Sequence, residues 1–172
     1  VLGHQDRHAG LADYSRRLML PIERKSVEPL AAHTDPLHVS AKHQSLHHLV
    51  AQSDWSDPAV LACVRDWVMP ELGRKSQFYW IVDDTGFPKK GEHSVGVARQ
   101  YCGQLGKQDN CQVAVSLSLA SERGSVPIKW RLYLPEVWAK DQRRRKKAGV
   151  PKEVKFLTKP KIAREQIRAA KA

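Results

Sequence analysis

Two patterns of apolar residues divide the chain near residue 77. Before that point, apolar residues recur at the spacing of an amphipathic helix. The first such stripe consists of Leu11, Tyr14, Leu18 and Ile22. Further helices are predicted after Ser40 and from Asp57, an N-cap aspartate followed by Pro58, which lacks a donor that the first helical turn would leave unsatisfied. Residues 1–75 are therefore predicted to be helical.

The last two predicted helices of this region allow two interpretations. The helix after Ser40 carries Leu46 and Leu49 on one face, and the helix from Asp57 has an apolar stripe of its own. Two helices joined by a turn are typical of a helix-turn-helix DNA-binding motif. The connecting segment 53–56 is longer than the usual turn of that motif, which favours a plain helical hairpin. DNA binding by residues 1–75 stays one of two interpretations.

After Gln77 the pattern changes to that of β-strands. The run Phe78–Val82 is continuously apolar, which predicts a central strand buried on both faces. Alternation of apolar and polar residues predicts strands over Cys111–Ala120 and Ile128–Leu134, and a weaker pattern predicts one over Ser94–Cys102. Helical spacing returns from Pro160. Helices followed by a run of strands predict an α+β fold.

The positive charge of the chain is concentrated in its last part. The net charge is +11 at pH 7. Residues 1–138 hold 16 Lys and Arg against 15 Asp and Glu, whereas residues 139–172, the basic segment, hold 13 against 3. Such a segment suits an anionic partner, with nucleic acid the first candidate. Its densest cluster is Arg143, Arg144, Arg145, Lys146 and Lys147. The alternative is a solvated, partly helical segment whose charge serves solubility.

The cysteines and the lack of long apolar stretches indicate in which cellular compartment the protein is found. Cys63, Cys102 and Cys111 are odd in number and form no C-x-x-C pair, which predicts a reduced, cytosolic protein. Cys102 and Cys111 would face each other on neighbouring strands, but buried free thiols are the favoured interpretation. No apolar stretch approaches the ~20 residues that span a bilayer. The polar start of the chain does not resemble a signal peptide.

The adjacent carboxylates Asp83 and Asp84, which follow the first predicted strand, form the candidate site. Two such charges are costly to bury unless they bind a cation or hydrogen-bond donors. Their oxygens suit Mg²⁺ or Mn²⁺, which proteins usually hold with one or two carboxylates and substrate phosphates. The alternative is that the aspartates cap the following turn. Four cations nearby are candidate phosphate contacts or else ordinary loop charges: Lys89, Lys90, Arg99 and Lys107.

The residues around these aspartates resemble one family. The run Trp80–Gly91, WIVDDTGFPKKG, is similar to the first catalytic block of a subgroup of bacterial DDE insertion-sequence transposases, whose pattern is D-D/E-T-G-F-x-K-K-G. The likeness covers about residues 11–160. Its other blocks are Glu23–Pro29, His43–His48, His93–Gly103, Gln108–Val113, Leu132–Glu136 and, weakly, Ala148–Pro151 and Thr158–Pro160. So many blocks in order are far more specific than one short motif.

The resemblance implies an RNase H-like catalytic domain over residues 76–172, preceded by a helical region that is a candidate for DNA binding. The domain would be an incomplete mixed sheet, made of the family's first three antiparallel strands plus an extra strand. In the family, two aspartates and one glutamate hold a pair of divalent metals for in-line attack on a DNA phosphodiester. The implied cofactor is Mg²⁺ or Mn²⁺, and the implied partners are transposon ends and target DNA in the bacterial nucleoid. The intact protein is expected to oligomerise on DNA.

The same resemblance assigns different roles to the two aspartates. The family pattern accepts Glu in place of Asp84 but keeps Asp in place of Asp83. Adjacent strand residues also point to opposite faces, so only one of them is expected to reach the site directly. Asp83 is therefore the expected metal ligand. Asp84 would cap the turn at Gly86, or it would orient the metal ligand without binding the metal itself.

The other two acidic residues of the family have no counterpart in this chain. Both are expected beyond the helix that starts near Pro160, and the chain does not begin with Met. The remaining candidates, Asp109, Asp141, Glu153 and Glu165, match neither position. We therefore expect an amino-terminal fragment that is inactive alone. The alternative function is that of a non-catalytic DNA-binding remnant that regulates transposition.

Overall fold

The computed structural model describes residues 2–73 and 77–171 of the chain and divides it into two compact units, Val1–Val60 and Leu61–Ala172. The helices are α1 Asp6–Leu18, α2 Val27–Thr34, α3 Val39–Ala51, α4 Asp57–Val68, α5 Glu136–Lys140, α6 Gln142–Lys147 and α7 Lys159–Lys171. The strands are β1 Tyr79–Pro88, β2 Ala98–Cys102, β3 Lys107–Ser121 and β4 Gly124–Leu132. The predicted α+β class is confirmed, because helices precede an open antiparallel sheet consistent with a partial RNase H-like fold.

The first unit packs α1, α2 and α3 around a small core of Leu30, Ala31 and Leu46. An ion-pair network ties α1 to α3, since the Asp13 carboxylate lies 2.8 Å from the Arg17 guanidinium and 2.6 Å from Lys42 Nζ. Burial alone would raise the pKa of Asp13, but the hydrogen bonds and charges of these two cations lower it below its ordinary value. Helices α1, α2 and α3 therefore form a packed unit.

Helix α4 begins as predicted at Asp57, but a different residue caps it. The Ser56 hydroxyl oxygen accepts a hydrogen bond from the Ala59 N–H at 3.3 Å. Asp57 is already the first helical residue, so its carboxylate is one position too late for the N-cap expected from the sequence. The choice between a helix-turn-helix and a plain hairpin for α3 and α4 stays a prediction.

Strand β3 is the centre of the sheet of the second unit. Strand β1 pairs antiparallel along one side of β3, from Tyr79 opposite Ala120 to Pro88 opposite Cys111. The other side is shared, with β2 paired to the start of β3 and β4 paired to its end. The three long strands β1, β3 and β4 thus lie side by side. The short β2 lies beside the start of β3 only.

The prediction that Phe78–Val82 is a central strand buried on both faces is wrong. Among the described residues, β1 pairs only with β3 and so forms an edge. Its apolar side chains are partly in solvent, with 55% of Tyr79, 47% of Ile81 and 44% of Val82 exposed. A continuous apolar run reports low polarity but not the number of neighbouring strands, and this explains the error.

Strand β2 is shorter than the predicted Ser94–Cys102 because its first half forms a turn. The Val97 N–H donates to the Ser94 carbonyl at 3.1 Å, and Gly96 has a φ of +80°. A Cβ at Gly96 would also lie 2.8 Å from the Tyr133 carbonyl oxygen. A left-handed backbone with so little space accepts glycine only, so the strand starts later.

Helix α7 packs on the sheet and anchors the basic segment. Ile162 and Ala163 contact Val115, while Ile167 packs with the larger core formed by Leu72, Leu117, Leu119, Val126 and Ile128. The buried Gln166 amide donates to the Val115 carbonyl at 3.0 Å. This end of the basic segment is therefore part of the folded unit and not a free, solvated extension.

The thiols behave as predicted, with Cys102 and Cys111 free and fully buried and Cys63 free and exposed. Burial, together with the neighbouring Cys102 thiol, raises the pKa of Cys111 to about 11. Across residues 2–73 and 77–171, no helix has the length and apolar character needed to cross a membrane.

Candidate active site

Asp83 and Asp84 lie in the middle of β1 and point to opposite faces of the sheet. Asp83 is opposite Ser116 of β3, and Asp84 is opposite Val115. Because Val115 packs against α7, the Asp84 side chain lies on the face that α7 covers. The strand thus extends through both aspartates, which do not follow its end as the sequence suggested.

Asp84 is paired with a cation from a distant part of the chain. The Lys159 ammonium, on the first residue of α7, lies 2.7 Å from Asp84 Oδ2. The Lys159 side chain is 32% exposed and that of Asp84 is 40% exposed. A pair this accessible contributes only about 0–1 kcal/mol to stability. Its main effect is to neutralise one of the two carboxylates.

Among the described residues, Asp83 is held by the neighbouring backbone and by β3. Its Oδ1 accepts a hydrogen bond from the Asp84 N–H at 2.8 Å, and its carbonyl accepts one from the Ser116 hydroxyl at 3.4 Å. The side chain is exposed, and within residues 2–73 and 77–171 no cation pairs with it. Its second carboxylate oxygen is therefore available to a ligand.

Both aspartates border an open cleft of about 650 Å³ between β1 and α7. The lining residues are Val82, Asp83, Asp84, Val115, Lys159, Pro160, Ala163, Arg164 and Ile167. Its walls are apolar, and its charged groups are two carboxylates and two cations. This composition suits a ligand that has both anionic and apolar parts.

The four predicted phosphate contacts lie away from this cleft. Lys89 and Lys90 are exposed in the loop after β1, where the Asn110 amide donates to the Lys89 and Gly91 carbonyls at 2.7 and 3.0 Å. Arg99 is exposed on β2. Lys107 starts β3, nine positions before the partner of Asp83, which corresponds to roughly 30 Å along an extended strand.

At the Lys107 end of the sheet the acidic group is Asp109. The Asn110 N–H, the Lys107 ammonium and the charge of Arg99 together lower the pKa of Asp109, against a smaller opposing effect of burial. Lys107 Nζ lies 3.3 Å from this carboxylate. Lys107 and Arg99 therefore form a separate charged cluster and are not part of the aspartate cleft.

The five basic residues of α6 have different environments. Arg143, Lys146 and Lys147 are exposed. The Arg144 guanidinium lies 3.8 Å from the ring centroid of the buried Trp138 and donates to the Glu92 carbonyl. The Arg145 side chain is buried and donates to the carbonyls of Ala139, Pro151 and Val154. The geometry favours a structural role for Arg145 and leaves only three of the five cations fully at the surface.

The sequence did not identify Lys159 and Arg164 as site residues. Lys159 belongs to the short block Thr158–Pro160, whose weak likeness to the family was the only available indication. Its contact with Asp84 spans 75 positions and depends on how α7 crosses the sheet. A charged residue in a basic segment has no local pattern that predicts such a contact.

The described residues provide a partial donor set for a metal. Carboxylate oxygens are the ligands that Mg²⁺ and Mn²⁺ prefer, and Asp83 and Asp84 supply them. In the part of the chain that the structure describes, no group of three or more His, Cys, Asp or Glu side chains could hold a metal ion. Because these two side chains point to opposite faces of β1, only one of them can reach a given metal ion directly, and the described residues supply only part of a divalent-metal site.

Comparison with known proteins assigns the chain to a class. The family model described as DDE superfamily endonuclease matches residues 1–172, and the chain belongs to that family. It is also 35% identical over 120 residues to a protein of Microchaete diplosiphon described as a probable transposase for insertion sequence element IS701. That match covers 70% of this chain but only 28% of the relative. No solved structure matches the chain.

Proposed function

We propose that this chain supplies the first catalytic aspartate of an insertion-sequence transposase that cuts and joins DNA with divalent metal ions. The observation that carries the proposal is the pair Asp83 and Asp84 beside an open cleft, in a member of a DDE endonuclease family. Such a protein would act on the bacterial chromosome in the cytoplasm. DNA would be both its substrate and its target.

In this proposal Asp83 holds the metal and Asp84 positions the site. Asp83 has a carboxylate oxygen available, whereas Asp84 is already paired with Lys159. A bound pair of divalent ions, Mg²⁺ or Mn²⁺, would stabilise the attacking and leaving oxygens of an in-line displacement at phosphorus. The Asp84 N–H, which donates to Asp83 Oδ1, fixes the orientation of the ligand carboxylate.

Two carboxylates on one strand cannot surround a pair of metal ions that lie about 3.5–4 Å apart. The proposal therefore requires further carboxylates from outside the described residues. The relative from M. diplosiphon is much longer than the matched segment, so a whole protein of that size would have room for them. We accordingly expect residues 1–172 alone to neither cleave nor join DNA with Mg²⁺ or Mn²⁺.

A chimera would test the proposed function. This chain would replace the matched segment of the M. diplosiphon relative, and cleavage of DNA bearing the ends of that element would be measured with Mg²⁺. We expect cleavage by the chimera and none by its Asp83→Asn, Asp84→Asn form, because that form lacks the ligand oxygens on β1. The Asp109→Asn chimera is a matched control, since Asp109 lies at the far end of the sheet.

Circular dichroism would establish that each chimera is folded. Cleavage that survives the double substitution would contradict the proposal. A folded but inactive chimera, combined with inhibition of the intact relative by the added 172-residue chain, would favour the alternative function of a non-catalytic regulator.

A further inference from the structure

The cleft beside the aspartates contains two cations. In the proposed metal chemistry Lys159 only neutralises Asp84, and Arg164 has no role. Lys159 and Arg164, both on α7, line it together with Asp83 and Asp84. Neither belongs to the clusters at Lys89 and Lys107 or to α6. They bring positive charge directly to the candidate catalytic carboxylates, which the clusters elsewhere do not.

The hydrogen-bond donors of these two residues are largely available. Arg164 is exposed, and within residues 2–73 and 77–171 its guanidinium forms neither a hydrogen bond nor an ion pair. Lys159 uses one ammonium donor for Asp84 and remains 32% exposed. A guanidinium has five donors in a planar fork and an ammonium has three, so several remain for an anion.

The charges of the cleft explain why an anion could enter it. Two uncompensated carboxylates would repel a phosphate, because like charges at short range raise each other's energy. On the face that α7 covers, Lys159 neutralises Asp84, and Arg164 adds a positive charge that is not paired in the described residues, so this side of the cleft carries no net negative charge. A phosphodiester could then lie against the α7 side of the cleft without facing a net negative field.

We propose that Lys159 and Arg164 form a phosphate-binding subsite that seats the DNA backbone in the cleft next to Asp83. Arg164 donates to the phosphate oxygens, and Lys159 bridges between the phosphate and Asp84. The choice of DNA as the ligand rests on the proposed function. The positions and free donors of the two cations do not depend on it.

The test measures DNA binding without any divalent metal. The 172-residue chain in EDTA would be titrated against a fluorescent DNA duplex of arbitrary sequence, over a series of salt concentrations, with anisotropy as the readout. Lys159→Gln and Arg164→Gln should each weaken binding several-fold and lower the slope of log K against log[salt] by roughly 0.9. Lys159→Arg should bind like the unchanged chain, because it keeps the charge.

Matched controls exist on the same helix. Lys161 and Arg168 are exposed on α7, do not line the cleft, and lose the same charge in Lys161→Gln and Arg168→Gln. We expect these controls to change the slope much less. If they weaken binding as much as the cleft variants, DNA responds only to the total charge of α7 and the subsite does not exist.

Two further measurements keep the outcome unambiguous. Thermal melting would show that Lys159→Gln is folded, and should it unfold, Arg164→Gln decides the test alone. Asp83→Asn should not weaken binding in EDTA, although it should abolish cleavage in the chimera. Failure of the phosphate subsite would therefore leave the role of Asp83 standing, and failure of the metal site would leave the subsite standing.

Discussion

Helices α6 and α7 are both rich in Lys and Arg, yet they use their charge in opposite ways. In α6, Arg144 packs on the Trp138 ring and Arg145 is buried among carbonyl groups. In α7, the buried side chains are Ile162, Ala163 and Gln166, while the cations remain on the outer positions. The densest basic cluster in the sequence is therefore partly structural, and the sparser one faces the candidate site.

The difference shows that the place of a cation in the folded unit decides whether its charge is available to a ligand. The density of cations along the sequence does not decide this. In α7, polar and apolar residues alternate with helical periodicity, so its cations are separated from the core. Helix α6 has no apolar residue, and it docks through the aliphatic and planar parts of two arginines. A run of arginines that lacks apolar neighbours can thus be a packing element as well as an anion-binding one.

The largest expected effect concerns Arg145. Arg145→Ala would remove the guanidinium donor from the carbonyls of Ala139 and Val154, and one of two donors from the Pro151 carbonyl, which keeps the Val154 N–H. We expect the free energy of unfolding to fall by about 2–4 kcal/mol, as measured by urea denaturation. Arg143→Ala, an exposed neighbour, should change it by less than about 0.5 kcal/mol. Equal effects of the two substitutions would mean that Arg145 is no more structural than the exposed Arg143. Helix α6 would then not differ from α7 in the way described above.

A second, smaller effect concerns DNA binding by the exposed part of α6. The triple substitution Arg143→Gln, Lys146→Gln and Lys147→Gln removes its fully exposed cations. The slope of log K against log[salt] should flatten by at most about 0.9 for each phosphate that these side chains neutralise in the unchanged chain. Arg144→Gln should add little, because its guanidinium is engaged by Trp138 and Glu92. An unchanged slope after the triple substitution would leave α7 as the main DNA-binding helix.

The last expected effect concerns a buried thiol and appears only at high pH, outside the range in which DNA binding would be measured. The pKa of Cys111 is raised from 9.0 to about 11, so between these values the unfolded chain loses the proton that the folded chain keeps. The resulting stability is present below pH 9 and is lost as the pH rises through about 11. Urea denaturation across this range should show the decline, and Cys111→Ala should reduce it. A decline of the same size in Cys111→Ala would assign it to other groups.

The sequence predicted the helices and strands better than it predicted which of them lie side by side. The periodicity of α7 and the alternation in β3 each reflect local burial, and both were predicted correctly. The burial of β1 was not, because how far Tyr79 and its neighbours are covered depends on contacts far along the chain. The turn at Gly96, where a Cβ would clash with the Tyr133 carbonyl oxygen, shortens β2, and no local pattern reveals this contact.

The prediction of the candidate site was limited in the same way, because contacts between distant parts of the chain have no local sequence pattern. Asp83 and Asp84 were chosen as candidate site residues from their own side chains and from the family block that surrounds them, and this choice stays a prediction. The cation beside them, Lys159, comes from a helix that begins 75 positions later. Composition indicated that the basic segment binds an anion, but only the packing of Ile162 and Ala163 on Val115 brings α7 to the aspartates.

The most direct test of the central claim compares the two aspartates one at a time. In the folded chimera, Mg²⁺-dependent DNA cleavage would be measured for Asp83→Asn and for Asp84→Asn. We predict that Asp83→Asn abolishes cleavage, because it removes the ligand oxygens from the metal. Asp84→Asn should only weaken cleavage, because Asp84 is already paired with Lys159. Abolition by Asp84→Asn with substantial cleavage by Asp83→Asn would contradict the assignment.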